Sequence, residues 1–302
     1  MEDVQILTGE TAAIGTAIFF AISSTLFTIA GRRAGASQVN RSRLLVAALL
    51  AIAIYWLTRG HPLPQGLSTS VWMWLAVSGV IGLSLGDDLL FRAFVLIGPA
   101  LSMLIFALSP AIAACLSWIF FDEALSALEV FGIALTLFGV SWVVTAPKRT
   151  SPNETPHAYV LGLVLALGGA LGQALGLITA KVGLIQGASP QAANCIRLIA
   201  AAAAIWLVTT VTGRARQSLA MWTENRRASA YTVLGALMGP IAGVWLSLIA
   251  IDRAPIGVAS TLMSLTPLFL LPIGRLVFRE PITFRALAGT LIAIAGVAVL
   301  LQ

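Results

Sequence analysis

The densest charge in an otherwise apolar chain falls in GLSLGDDLLFRAF, residues 82–94, where Asp87 and Asp88 precede Arg92. Charge at membrane depth is rare and is kept when it is paired or when it acts on an ion, a proton or a substrate. Asp88 stands four residues before Arg92, the helical spacing at which an acid and a base neutralise each other. An ion pair near the interface is therefore the structural reading; an inner gate or an ammonium-binding acid is the functional one. Two aspartates also suggest an intramembrane protease, but the GxGD pattern fails because position 84 is Ser. Arg197 is a second intramembrane charge, about two turns into its run. It either snorkels to the outer interface on its aliphatic stem or holds a substrate carboxylate.

Uncharged groups extend this set. Ser23, Ser24 and Thr28, with Gln173, Ser247 and Ser264, place hydroxyls and amides where a small substrate would be lined. The competing reading is helix–helix packing, for which membrane helices use small polar residues. Phe106, Trp118 and Trp245 are candidates to stack on an apolar side chain. Pro110 and Pro267 lie inside spans at equivalent depth, where a missing N–H bends a helix, so both are hinge candidates. Pro99 and Pro255 fall at span starts, a favourable first helical position. No metal or cofactor chemistry is visible: His61 and His157 lie in loops without HExxH or cysteine partners, and no phosphate-binding GxxxxGK[ST] loop occurs. Cys115 and Cys195 each sit in an apolar run and form no ligand pattern.

The elements that must carry these groups follow from composition. The chain has 302 residues, 59% hydrophobic and 10% charged, against about 25% charged in soluble domains; its mean hydropathy is +0.96. Apolar runs recur at the length that crosses roughly 30 Å of hydrocarbon as a helix. The net charge of +6 is scattered between those runs, the pattern of topology determinants rather than of nucleic-acid binding. The breaks predict an all-α polytopic membrane protein with helices near 11–30, 38–58, 71–93, 99–121 and 126–145, then 158–180, 190–211, 230–251, 256–278 and 282–301. The expected units are 1–145 and 158–302, joined by a polar cytoplasmic linker at 146–157. In the basic loop 213–227, Met221 and Trp222 are expected to rest on the membrane surface.

The two units repeat. LSPAIAACLSWIFFDEALS (108–126) recurs as LTPLFLLPIGRLVFREPIT (265–283), and Gly132 and Gly139 recur as Gly289 and Gly296. GASQVNRSRL at 35–44 resembles GASPQAANCIRL at 187–198, with Arg43 near the counterpart of Arg197. Five spans per unit is odd, so the second unit starts from the opposite side and the repeats are expected to be inverted. Charge agrees. The loops after odd-numbered helices, with their flanking helix ends, carry fourteen basic residues, Arg41, Arg43 and Arg92 among them; the opposite side carries Arg59, Lys181 and Arg253; Arg197 completes the 18. Basic residues collect in the cytoplasm, which puts both termini on the extracytoplasmic side of the inner membrane. Glu123 and Glu280 precede the last helix of each unit, where a carboxylate favours the helix dipole, and Ser126 with Glu129 reads as a capping box.

Ten helices in two inverted five-helix units, each with an SP or TP helix ending in Glu and then Gly at seven-residue spacing, resemble the drug/metabolite transporter superfamily. The likeness is to its EamA-type exporters and, among them, those of aromatic and hydrophobic amino acids. It is carried by Ala254, Gly257, Ala259, Ser260, Leu262, Leu265, Pro267 and Glu280, and in the first half by Gly98, Ala100, Leu101, Leu108, Pro110 and Glu123. The resemblance implies alternating access without ATP and a central cavity lined by helices 1, 3, 4, 6, 8 and 9, braced by helices 5 and 10. The expected partners are a small amphipathic metabolite and the lipid bilayer, with no cofactor, no enzymatic activity and a monomeric chain. A multidrug exporter is the alternative, though it would want a carboxylate inside helix 1, and Glu10 lies just before it. A non-transport membrane protein ranks below both.

Overall fold

Apolar runs bounded by glycine, proline and charge become helices throughout the described residues. The computed structural model describes residues 2–121, 126–145, 156–253, 262–279 and 282–300 and contains no strand among them. In chain order the helices are α1 (Glu2–Ala34), α2 (Ala36–Arg59), α3 (Thr69–Ser78), α4 (Asp87–Ile97), α5 (Pro99–Phe106), α6 (Ser109–Phe121) and α7 (Ala127–Val144). Then follow α8 (Pro156–Ile185), α9 (Pro190–Val211), α10 (Ala215–Glu224), α11 (Arg226–Ala236), α12 (Val244–Arg253), α13 (Thr266–Phe278) and α14 (Phe284–Leu300). Among the described residues, six helical segments are long and apolar enough to cross a membrane: Gly9–Ala34, Ala36–Arg59, Pro99–Leu116 (α5 with most of α6), Ala127–Val144, Pro156–Ile185 and Pro190–Val211. Thr266–Phe278 and Phe284–Leu300 are shorter apolar helices. Leu57, Leu276 and Phe284 stand more than four-fifths exposed, as lipid-facing side chains do.

Local chemistry sets the ends. Ser126 and Glu129 form the expected reciprocal cap of α7. Ser189 caps α9, with Pro190 in the first turn, and Pro99 opens α5. Pro255, Glu123 and Glu280 lie outside the described residues.

Two interruptions occur twice. Between α3 and α4 the helix widens into a π segment, Gly79–Gly86, and between α11 and α12 into another, Leu237–Gly243. Gly82 and Gly86 of the first correspond in the repeat to Gly239 and Gly243 of the second. Pro240 sits in the second alone, so proline is not the shared cause. What the two segments share is close packing on a neighbouring helix. Gly82 and Gly86 meet the backbone of Gly176 and Gly172 on α8, while Gly239 and Gly243 meet Ser23 and Phe20 on α1.

The other doubled interruption lies at the hinge candidates. Pro110 and Pro267 do not bend a continuous helix. Turns at Ala107–Leu108 and at Ser264–Leu265 divide the chain, and each proline falls in the first turn of the helix that follows. Pro110 has no N–H for the Phe106 carbonyl, so the ladder stops there. The connection tightens to three-residue bonds, Leu108 N–H to Ile105 O at 3.0 Å and, in the second copy, Leu265 N–H to Leu262 O at 3.2 Å.

Equivalent helices of the two units pack on each other. A Cβ on Gly132 of α7 would stand 2.8 Å from the Gly296 carbonyl of α14, and one on Gly296 would stand 2.7 Å from the Gly132 carbonyl. Gly139 and Gly289 form the reciprocal pair, at 2.6 and 2.9 Å. Position 132 meeting 296 and position 139 meeting 289 makes α7 and α14 antiparallel. α2 and α9 are antiparallel too. Leu44, Ala47 and Ala48 pack on Leu198, Ala201 and Ala202, while Gln191 at the start of α9 donates to Thr58 near the end of α2 at 2.7 Å.

Candidate functional site

Asn40 and Arg43, one turn apart on α2, point into the bundle. Arg43 is 7% exposed and Asn40 fully buried. Arg43 Nη2 donates to Asp87 Oδ2 at 2.6 Å and to Asn40 Oδ1 at 3.1 Å. Asn40 Nδ2 in turn donates to the Ser84 carbonyl in the first π segment at 3.3 Å. The guanidinium lies over Phe91, 5.1 Å from the ring centre, and 5.9 Å from that of Phe27. A planar, weakly hydrated guanidinium suits this mixture of carboxylate, amide and aromatic faces, where an ammonium would not. Arg43, counted among the basic residues of the loop and its flanking helix ends, is thus buried about two turns into α2. Sequence reasoning missed it because its partner lies 44 positions away; the signal available was its correspondence to Arg197, already recognised as intramembrane.

Arg197 is half-buried and turns part of its guanidinium into the bundle. Its Nε and Nη2 are sealed from solvent and have no hydrogen-bond partner among the described residues, and the same holds for Gln173 Oε1 on α8. A Cβ on Gly82 would lie 3.5 Å from both Arg197 Nη2 and Gln173 Oε1, so the orphaned donor and the orphaned acceptor flank one point beside the π segment. Arg197 is also within electrostatic reach of Asp87. Asp87 therefore stands in the field of two arginines that correspond in the repeat, bonded to one of them. Its own counterpart in the second unit is Val244. The close approach that brings this about needs glycine at position 79, where any Cβ would collide with the Arg197 backbone carbonyl.

Asp88 and Arg92 form an ion pair at 2.6 Å, the arginine half exposed, and Arg92 Nε reaches Ser37 Oγ on α2 at 3.1 Å. That pair faces the basic end of the bundle, apart from Asp87.

The hydroxyl candidates divide. Ser23 donates to the Gly235 carbonyl at 2.8 Å and joins α1 to α11. Ser24 and Thr28 are buried and bond back to carbonyls of their own helix, the packing arrangement. Ser247 is half-buried and bonds to the Val244 carbonyl. Ser264 is half-buried within the second turn. Phe106 packs on the cluster of Phe27, Phe91 and Phe94, and Trp118 stands 53% exposed near the end of α6. The side chain of Trp245 lies outside what is described. Met221 and Trp222 turn inward onto the same cluster as Phe106, so they do not rest on a membrane surface; Leu219 is the outward apolar residue of α10.

The EamA-like transporter family model matches residues 7–145 and again residues 160–302, so two copies of one unit account for nearly the whole chain. A crystal structure of a protein 18% identical superposes with a TM-score of 0.54 over 98% of this chain and 97% of its own, a likeness of fold. No curated protein matches.

Proposed function

The chain belongs to the EamA-like transporter family, and from that premise we propose a secondary, alternating-access transporter that exports small amphipathic metabolites, hydrophobic and aromatic amino acids first among them. The observation that carries the substrate reading is the pair of orphaned groups beside Gly82. A buried guanidinium that shares a distant carboxylate with another arginine and leaves two nitrogens unbonded is costly, and a buried amide oxygen without a donor is costly too. An α-amino acid supplies both missing partners at once, its carboxylate to Arg197 and its ammonium to Gln173. A cationic drug would instead need a free carboxylate, and Asp87 is already neutralised by Arg43.

Antiparallel packing of the equivalent helices α7 and α14 supports an inverted relation between the units. Inverted units rocking about a mid-membrane site are the general plan of secondary transporters, and the twin turns before Pro110 and Pro267 are suited to absorb the motion. The excess of basic residues in one set of loops supports termini on the extracytoplasmic side, so a Gln302→Cys variant should react with a membrane-impermeant maleimide in spheroplasts; protection until lysis would reverse the orientation.

Counterflow in proteoliposomes tests the substrate. Radiolabelled phenylalanine or leucine should accumulate against unlabelled amino acid inside, and Arg197→Gln should cut the rate by about tenfold or more, the worth of a lost charge-assisted hydrogen bond. Counterflow of no amino acid by well-folded protein would dispose of the substrate reading.

A further inference from the structure

The basic end of the bundle holds a second polar feature, separate from the Arg197–Gln173 site. A cleft of about 270 Å³ opens between the α1–α2 junction, α4 and α10, lined by Ser37, Gln38, Arg41, Arg92, Arg214 and Gln217. Arg41 lies within electrostatic range of both Arg92 and Arg214, and the acid in range is Asp88, which Arg92 already holds. The cleft therefore gathers three guanidiniums against one carboxylate and keeps an excess of two positive charges in a confined space.

The remaining contacts aim these groups rather than neutralise them. Arg41 Nη1 donates to Ser218 Oγ at 3.0 Å while its Nε is sealed and has no partner among the described residues. Arg92 is steadied by Ser37. Arg214 is exposed and forms no ion pair among the described residues. The start of α2 adds to the field, since Gly35 gives no side-chain cap and the first turn carries no acid, leaving the positive end of the helix open. Like charges this close repel unless an anion is present, and guanidiniums converging from three elements match the oxygens of a phosphate.

We propose that this cleft binds a phosphate group through Arg41, Arg92 and Arg214, and that the group is the headgroup of an anionic phospholipid. The lipid source follows from the surroundings. α10 follows Arg214 directly and exposes the apolar Leu219 close to Arg216, so a contact for an acyl chain lies beside the basic cleft. The cleft also sits at the arginine-rich end, where an anionic leaflet would meet it.

Native mass spectrometry of the delipidated full-length protein, titrated with phosphatidylglycerol or phosphatidylcholine, tests this. The wild-type protein should bind phosphatidylglycerol about tenfold more tightly than phosphatidylcholine, and Arg214→Gln should remove that preference. Arg216→Gln, a charge loss of the same size on exposed α10, should keep it. Both positions are exposed, so neither change threatens folding. Equal binding of the two lipids by the wild-type protein, or equal effects of the two substitutions, would overturn the proposal. Saturation by inorganic phosphate without preference between the lipids would overturn the lipid assignment.

Discussion

Replacing Asp87 by Asn should destabilise the protein by about 3–5 kcal/mol, the cost of breaking a buried ion pair from one side. Arg43 would keep its charge in a site that is 7% exposed, with only Asn40 and the faces of Phe27 and Phe91 to compensate it. A cation over an aromatic ring contributes about 0.5–2 kcal/mol, less than the carboxylate it replaces. Arg197 would lose the same field. Combining Asp87→Asn with Arg43→Met removes the stranded charge, and the double variant should recover most of the loss. Thermal unfolding in detergent, followed by tryptophan fluorescence and size exclusion, measures both. A single variant that melts with the wild type, or a double variant no better than the single, would show that the pair does not hold α2 to α4.

The second large effect is steric. In lipid no hydrophobic force drives one apolar helix onto another, so α7 and α14 are held by close packing of their backbones. Alanine at Gly139 places a methyl 2.6 Å from the Gly289 carbonyl and 2.9 Å from Ala293 Cα. Overpacking of this kind costs about 1–3 kcal/mol, and leucine there should detach the two helices. Gly289→Ala, 150 residues away, should also destabilise but by less, because its Cβ would meet the movable Val143 side chain first and the Gly139 carbonyl only at 2.9 Å. Leu137→Ala, on the exposed face of α7, is the control and should melt near the wild type. Unchanged melting of Gly139→Leu would refute the close seam.

How much of this was legible depended on the range of the interaction. Helix ends are written locally, in Gly60, Gly98 and Gly187, whose positive φ angles stop a helix, and in the Ser126–Glu129 cap. The seam glycines were visible as a repeated seven-residue spacing, although spacing alone does not say that the two copies touch. The Asp88–Arg92 pair lies within one turn of helix and could be read directly. Arg43–Asp87 could not, because no local rule joins α2 to α4. Arg43 was counted with its basic neighbours instead. The π segments were invisible for a different reason: one extra residue per turn leaves the apolar composition of a span unchanged. Pro110 and Pro267 were visible as helix breakers, yet their effect, a complete turn before each proline rather than a bend within a continuous span, depends on how the preceding carbonyls find new donors.

The presence of Val244 where symmetry would ask for a second aspartate has a consequence for energetics. In the transporter proposed above, two matched halves related by a two-fold rotation offer two equivalent arrangements, and identical halves would populate them evenly. A lone acid breaks that degeneracy. In the alternating-access reading proposed above, the arrangement that keeps Asp87 bonded to Arg43 is favoured, and the opposite one is reached uphill to the extent that it loosens that bond. Moving the acid across, as Asp87→Val with Val244→Asp, should reverse which arrangement the resting molecule adopts.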